Sequence, residues 1–92
     1  MVFSAAVKKR LRSEAHRLKP VVTIGQHGYT AAVAAAIDEA LEDHELIKVR
    51  LRGIEREGRK PLTEEICLDL DADFVGLIGA VATLFRPRPE ND

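Results

Sequence analysis

In residues 46–52 of this chain, LIKVRLR, apolar and basic side chains alternate strictly from Ile47 onward. A period of two residues is typical of a β-strand that has one face in a protein core and the other at the surface. The side chains assigned to the core face are Ile47, Val49 and Leu51. The basic side chains assigned to the exposed face are Lys48, Arg50 and Arg52. The pattern therefore predicts a sheet with positive charge on part of its exposed surface.

Three segments have the apolar periodicity of amphipathic helices. The first follows Ser4, a favourable N-cap residue, and is expected to end before Pro20, and Thr30 is expected to cap the second. The third is expected to begin late, after a long loop, because Gly58 and Pro61 disfavour a helix interior and Pro61 suits a first turn. The predicted inward-facing residues are Val7, Leu11, Ala15 and Leu18, then Val33, Ile37, Ala40, Leu41 and His44, then Leu62, Ile66, Cys67 and Leu70.

Short apolar runs predict three further strands, at 21–24, 74–78 and 81–85. The resulting order, α-β-α-β-α-β-β, favours crossover connections. We therefore predict an α/β fold with a four-stranded mixed sheet packed with helices, and we assign Phe3, Phe74 and Phe85 to packing roles. With 92 residues the chain has room for one core, so we expect a single compact domain at 1–87 and a flexible C-terminal tail at 88–92.

The composition excludes several classes of protein. One cysteine cannot form an intramolecular disulfide, and no apolar run approaches the roughly 18 residues of a membrane span. No signal peptide is recognisable at the start of this sequence. We therefore expect a cytoplasmic, monomeric protein without cofactors.

Charge is strongly segregated along the chain, although the net charge is only −1. Residues 1–30 hold six lysines and arginines against one acidic residue, and 46–61 hold six against two. Residues 31–45 and 62–73 each hold five acidic residues and no lysine or arginine. Such segregation predicts separate basic and acidic surfaces on the folded domain.

A possible anion site lies at IGQHGYT, residues 24–30, where two glycines three apart join a predicted strand to a predicted helix. Backbone N–H groups at a helix N-terminus bind phosphate, and glycine lets a ligand approach the peptide closely. A tight strand-to-helix turn explains the same glycines without any ligand. The basic helix just before the loop favours the phosphate interpretation, since lysine and arginine supply most phosphate affinity.

Three stretches, AHRLKPVVTIGQHG, HELIKV and IGAVATLFRP, occur in an order and spacing that resembles the CRM domain, the YhbY-type RNA-binding family. The resemblance extends over residues 3–87. It implies a fold similar to the C-terminal domain of the third bacterial translation initiation factor, with a GxxG loop like that of KH domains. It also implies a role in binding ribosomal RNA within precursors of the large ribosomal subunit.

The predicted RNA-binding site combines this loop with its flanking cations. Loop residues Gly25, Gln26, His27 and Gly28 would hold a phosphate, and Tyr29 would either stack on a base or pack on its own helix. The cations assigned to the first helix and its end are Lys8, Lys9, Arg12 and Lys19. The cations assigned to the exposed strand are Lys48, Arg50 and Arg52.

Two other classes of function remain open. A phosphate-ester or acyl-phosphate enzyme lacks an evident catalytic set, because His27 has no neighbouring carboxylate, Cys67 lies on an inner helix face and no Cys or His has metal-ligand spacing. A protein-interaction module would use the acidic segments 38–45 and 64–73 to bind a basic partner. RNA binding predicts that the two basic segments meet near the glycine loop, whereas the interaction module does not require it.

Overall fold

The computed structural model describes residues 4–88 and has the predicted order of elements. The helices and strands are α1 (Ala5–Ala15), β1 (Pro20–Ile24), α2 (Ala31–His44), β2 (Leu46–Leu51), α3 (Arg56–Leu70), β3 (Asp73–Ile78) and β4 (Val81–Phe85). Two predicted N-caps are confirmed: Ser4 Oγ accepts the Val7 N–H at 3.2 Å, and Thr30 Oγ1 accepts the Val33 N–H at 3.2 Å. No helix among the described residues is long and apolar enough to span a membrane.

The four strands form one mixed sheet in the order β1-β2-β4-β3. β1 runs parallel to β2, with α2 as the crossover between them, whereas β2 and β4, and β4 and β3, are antiparallel. β2 is therefore an inner strand, bonded on both sides. This is the predicted α/β fold class with its mixed sheet.

The two faces of the sheet are covered unequally. On one face α2 and α3 enclose the main core, which includes Ile24, Ile37, Leu41, Ile47, Val49, Leu51, Ile66, Ala82 and Leu84, all nearly inaccessible to solvent. On the other face lies α1, which contacts β2 and β3 and buries Leu11 and Ala15. One helix cannot cover four strands, so part of this second face stays exposed.

The predicted start of α3 is wrong, because the helix begins at Arg56 and contains both Gly58 and Pro61. Two contacts stabilise the early turn: the Gly58 N–H donates to Glu55 O at 2.9 Å, and Arg59 Nε donates to Ile54 O at 3.0 Å. Proline in the second turn removes only one intrahelical hydrogen bond, and its fixed φ already suits a helix. A short polar sequence thus becomes helix through contacts with its own N-terminal loop.

The predicted packing of the phenylalanines is confirmed in part. Phe74 is half-buried against the main core, and Phe85 is half-buried at the end of β4. Phe3 and residues 89–92 of the predicted tail lie outside the described residues. The boundary between domain and tail stays a prediction.

Two arginines after β4 bind the ends of the helices on the core face. Arg86 Nη1 donates to Asp38 Oδ1 and to the last carbonyl of α3, Leu70 O, each at 2.8 Å, and Arg86 Nη2 lies 3.3 Å from Glu42 Oε1. Arg88 donates to the α2 carbonyls of Glu42 at 3.0 Å and Asp43 at 2.6 Å. The terminal carbonyls of a helix have no intrahelical partners and carry partial negative charge. The arginines therefore connect the end of the chain to α2 and α3.

Replacing Arg86 by methionine tests this connection, because methionine keeps much of the aliphatic stem and removes the guanidinium group. The Arg86 side chain is only 17% exposed, and we expect the free energy of unfolding to fall by about 2 kcal/mol, the scale of hydrogen bonds to charged groups. Arg88→Met is the matched control and should lose about 0.5 kcal/mol, since Arg88 is exposed. Urea denaturation of both variants measures the difference, and equal losses would contradict it.

Candidate nucleic-acid interface

The side of α1 that lies beside the sheet carries basic side chains. Leu11 and Ala15 point into the protein, which leaves Lys9, Arg12 and His16 along the neighbouring side of the helix. A Cβ atom at Gly76 would lie 3.3 Å from Arg12 Cδ, so the absence of a side chain at Gly76 lets the arginine stem lie close to β3. The aliphatic stem of Arg12 therefore lies against β3 at Gly76.

Side chains from α1 and from the sheet enclose one cleft of about 510 Å³, which we call the basic groove. Its walls are formed by Lys9, Arg12, Ser13, Ala15 and His16 from the α1 segment and by Lys48, Gly76, Leu77, Ile78 and Thr83 from the sheet. None of these wall residues is acidic. The first basic segment of the sequence thus meets the second in the folded protein, but none of the glycine-loop residues, near which this meeting was predicted, lines the cleft.

The groove continues across the open part of the sheet. A second cleft, of about 310 Å³, shares His16, Lys48, Ile78 and Thr83 with the basic groove and adds Arg50. Its other wall residues are Pro20 and Val81. Because Lys48 and Arg50 are two residues apart on β2, they project from the same face of the sheet, and they alternate with core residues as predicted.

The glycine loop lies at the far edge of the same sheet. Ile24, the last residue of β1, pairs with Leu51, the last residue of β2, and the Leu51 N–H donates to Ala80 O in the turn between β3 and β4. Leu51 lies three positions after Lys48 on β2, which is about 10 Å at the rise of a β-strand. Arg50 lies between these positions, and exposed Arg52 follows β2 at this edge.

The loop itself is a closed turn. The Gly28 N–H donates to Gly25 O at 3.0 Å, and Gly28 has φ of +73°, a conformation that favours glycine. A Cβ on Gly25 would meet no atom within 4 Å, so the fold itself does not require glycine there. Gln26 and His27 are exposed at the tip. The turn leads through Tyr29 and Thr30 into the N-terminus of α2, which is the predicted arrangement for an anion site.

Tyr29 anchors this loop to α3. Its half-buried ring contacts the main core, and its hydroxyl donates to Asp69 Oδ2 at 2.6 Å. Burial raises the pKa of Tyr29 above its usual value, and the hydrogen bond to Asp69 and the negative charges of Asp69 and Glu65 add to this effect. The structure therefore gives Tyr29 a packing role, although its hydrogen-bond partner lies on α3 and not on its own helix, as the alternative to base stacking had it. Contact between Tyr29 and RNA stays a prediction.

Three of the predicted cations lie outside the groove, and one of them, Arg52, lines neither of its two clefts. Lys8 lines a separate cleft between α1 and α3, together with Arg12, Lys60 and Glu64. Lys19 lines another near the start of β1, with Glu14 and Arg17. Ile78 was missed as a site residue, and His16 was placed on the basic side of the first helix without being assigned to the site. An apolar residue at the very end of a predicted strand was the available sequence signal for Ile78, which is exposed in the structure.

The structure gives most other chemically notable groups a structural explanation. Burial raises the pKa of the Cys67 thiol to about 11, with smaller contributions from Asp73 and Glu64, so the thiol is protonated at neutral pH. Within residues 4–88 there is no cluster of His, Cys, Asp and Glu that could hold a metal ion. In the acidic segment of α2, Asp38 and Glu42 bind Arg86, which reduces the negative charge available to a basic partner.

These features define a class of protein: a small α/β domain in which a helix and a mixed sheet form a basic groove, with a GxxG loop at the sheet edge. The chain belongs to the CRS1 / YhbY (CRM) domain family, which it matches over residues 4–86. It is 40% identical over 90 residues to a Pseudomonas aeruginosa protein named a probable RNA-binding protein, covering 98% of this chain and 86% of that relative.

Further comparisons agree with this assignment. The chain is 40% identical over 88 residues to a Haemophilus influenzae protein named RNA-binding protein, covering 96% of this chain and 89% of the relative. Its fold matches the solution structure of a hypothetical protein from Staphylococcus aureus, described as a candidate RNA-binding protein, with a TM-score of 0.85 and 31% identity over 99% of this chain and 95% of the other. The predicted family and fold class are therefore confirmed.

Replacing Tyr29 by phenylalanine tests the anchor of the loop. We expect the variant to lose about 1 kcal/mol of unfolding free energy at pH 7, the low end for a hydrogen bond to a charged group, because the pair is accessible to solvent. The folded pKa lies above the ordinary value of 10.0, so this contribution is present below pH 10 and is lost as the pH rises from there towards the folded pKa. Denaturant unfolding at several pH values measures the change.

Direct titration provides the control, because Tyr29 is the only tyrosine of the chain and phenolate absorbance reports it alone. Tyr29 should titrate at higher pH in the folded protein than in the urea-unfolded protein. Asp69→Asn should move the folded value back towards the unfolded one, since it removes the neighbouring charge. Identical titration curves for folded and unfolded wild type would contradict the anchor.

Proposed function

We propose that this protein binds RNA along the basic groove. The observation that carries the proposal is the meeting of Lys9, Arg12 and Lys48, from distant parts of the sequence, in a single cleft whose wall has no carboxylate. Cations arranged without compensating acids attract the phosphates of a nucleic acid. The names of the relatives from Pseudomonas aeruginosa and Haemophilus influenzae support RNA as the ligand.

In this proposal phosphates occupy a track that runs from α1 across β2 to the sheet edge. Lys9 and Arg12 bind at one end, and Lys48 and Arg50 bind in the middle. At the far end the loop of residues 25–28 places a phosphate at the N-terminus of α2, in the way that a KH loop clamps the backbone. Such contacts fix the position of the RNA and carry little sequence information. The domain would accordingly recognise the shape and backbone of its target.

The proposed target is ribosomal RNA in precursors of the large ribosomal subunit, and the proposed role is that of a ribosome assembly factor in the cytoplasm. This step rests on the resemblance to single-domain bacterial members of the family. The protein is proposed to act as a monomer that contacts one stretch of RNA along the basic groove. No catalytic step is assigned to it.

A salt titration tests the groove. We expect single-stranded ribosomal RNA fragments to bind with a log–log salt slope of roughly −0.7 per phosphate contact. In the double variant Lys48→Gln, Arg50→Gln the slope should become shallower by about 1.4, because two contacts are lost. Fluorescence anisotropy of labelled RNA at several salt concentrations measures both values.

The matched control is the double variant Arg10→Gln, Arg17→Gln. It removes the same charge from the α1 segment, and neither residue lines the basic groove. Its salt slope should stay close to that of the wild type. An equal effect of both double variants would assign binding to net charge and would contradict a localised groove.

A separate prediction concerns the loop. Gly25 is a better position for substitution than Gly28, because Gly28 has a positive φ, whereas a Cβ at Gly25 meets no neighbouring atom. Gly25→Asp should weaken RNA binding at least about tenfold, since it places a negative charge beside the proposed phosphate, and a factor of ten corresponds to about 1.4 kcal/mol. Gly25→Asn, which has the same shape without the charge, should weaken binding much less. If both variants bind RNA like the wild type, the loop takes no part in binding.

A further inference from the structure

An apolar side chain stands exposed where the groove crosses the open part of the sheet. Ile78, at the end of β3, is 75% exposed. Together with Pro20 and Val81, which line the same cleft, it forms a surface that we call the apolar floor. β-strand side chains that face solvent are usually polar in a sheet with one covered side. Ile78 and its two apolar neighbours therefore offer a ligand an apolar surface beside the cations of the groove.

The charges around the apolar floor restrict the chemistry of that ligand. His16, Lys48 and Arg50 line the same cleft, and no acidic residue among 4–88 does so. A neutral apolar peptide would leave these cations without partners, and a cationic one would be repelled. A ligand that carries phosphate groups next to a flat, weakly polar surface can bind both the cations and the apolar floor of the cleft. A nucleotide has this combination.

The size and position of the cleft favour a single nucleotide unit over a larger ligand. Its volume of about 310 Å³ lies at the lower end of small-ligand pockets. It shares Lys48 and Ile78 with the basic groove, so a strand that follows the groove reaches the apolar floor without leaving the cations. A base in a duplex is stacked and paired, and its face cannot reach the floor.

We infer that the apolar floor of Pro20, Ile78 and Val81 binds an unpaired base of single-stranded RNA, whose adjoining phosphates lie on Lys48 and Arg50. This inference rests on the proposed function and adds a substrate class to it: RNA with at least one exposed base. Aliphatic side chains contact a base face through apolar surface and dispersion, and isoleucine and proline serve as apolar wedges between bases in other nucleic-acid complexes. The contact selects unpaired RNA without reading its sequence.

The test compares Ile78→Ser with Leu68→Ser. Both side chains are aliphatic and exposed, Ile78 to 75% and Leu68 to 86%. Leu68 lies on α3, outside this cleft. The probes are a labelled oligouridylate, an abasic ribose-phosphate strand of the same length, and an RNA duplex, each measured by anisotropy over a range of salt. Thermal unfolding of the variants checks that the fold is retained.

We expect the wild type to bind oligouridylate about five- to tenfold more tightly than the abasic strand, which is the expected size of one base contact. Ile78→Ser should remove most of this difference and leave the salt slope unchanged, since the phosphate contacts remain. Leu68→Ser should behave like the wild type. Duplex RNA should bind wild type and Ile78→Ser equally.

Other outcomes overturn the inference in distinguishable ways. Equal affinity of the wild type for oligouridylate and the abasic strand, with a normal salt slope, would refute the base site and leave the proposed function standing. Unchanged discrimination in Ile78→Ser would place the base contact elsewhere and refute this floor. Absence of binding to every RNA probe at low salt would refute both the floor and the proposed function.

Discussion

The inner position of β2 is the constraint on which the rest of the structure depends. Because β2 bonds to β1 on one side and to β4 on the other, its side chains can project only from the two faces of the sheet. Ile47 and Val49 enter the main core and become almost completely buried. Lys48 must then point to the opposite face, near the middle of the sheet. Burial of one set of side chains thus fixes the position of the cations.

A charged residue in the middle of a sheet cannot be covered fully by an apolar helix without a large desolvation cost. α1 avoids this cost because it buries only Leu11 and Ala15 against the sheet and turns Arg12 and His16 towards the open part. Gly76 lets the Arg12 stem approach β3 closely. The helix therefore stabilises the second face and forms one wall of the groove at the same time.

The parts of the fold that follow from local sequence were predictable, and the parts that follow from distant contacts were not. Helix caps and the alternation of β2 depend on residues a few positions apart, so Ser4 and Thr30 could be assigned directly. The early start of α3 depends on contacts of Arg59 with its preceding loop, which outweigh the unfavourable propensities of glycine and proline. The bond between Tyr29 and Asp69 joins residues 40 positions apart, and no local pattern indicates it.

The composition of the groove depends on strand order, which local patterns do not determine. Only the placement of β4 and β3 beyond β2 brings Ile78 and Thr83 beside Lys48. Lys8 and Lys19 belong to the same basic segment as Lys9, yet the helix and its end direct them into other clefts. A basic segment therefore indicates that a charged surface exists, while the sheet decides which cations share it.

The net charge of −1 gives little information about this surface, because the acidic and basic groups have different partners. Asp38 and Glu42 on α2 bind Arg86, so part of the negative charge is used to join the end of the chain to the helices. Within residues 4–88, no ion pair neutralises Lys9, Arg12 or Lys48 in the groove. The side chains that line the groove therefore carry net positive charge, although the molecule as a whole is slightly negative. Acidic side chains elsewhere on the surface limit non-specific attraction of nucleic acid, since they repel phosphate.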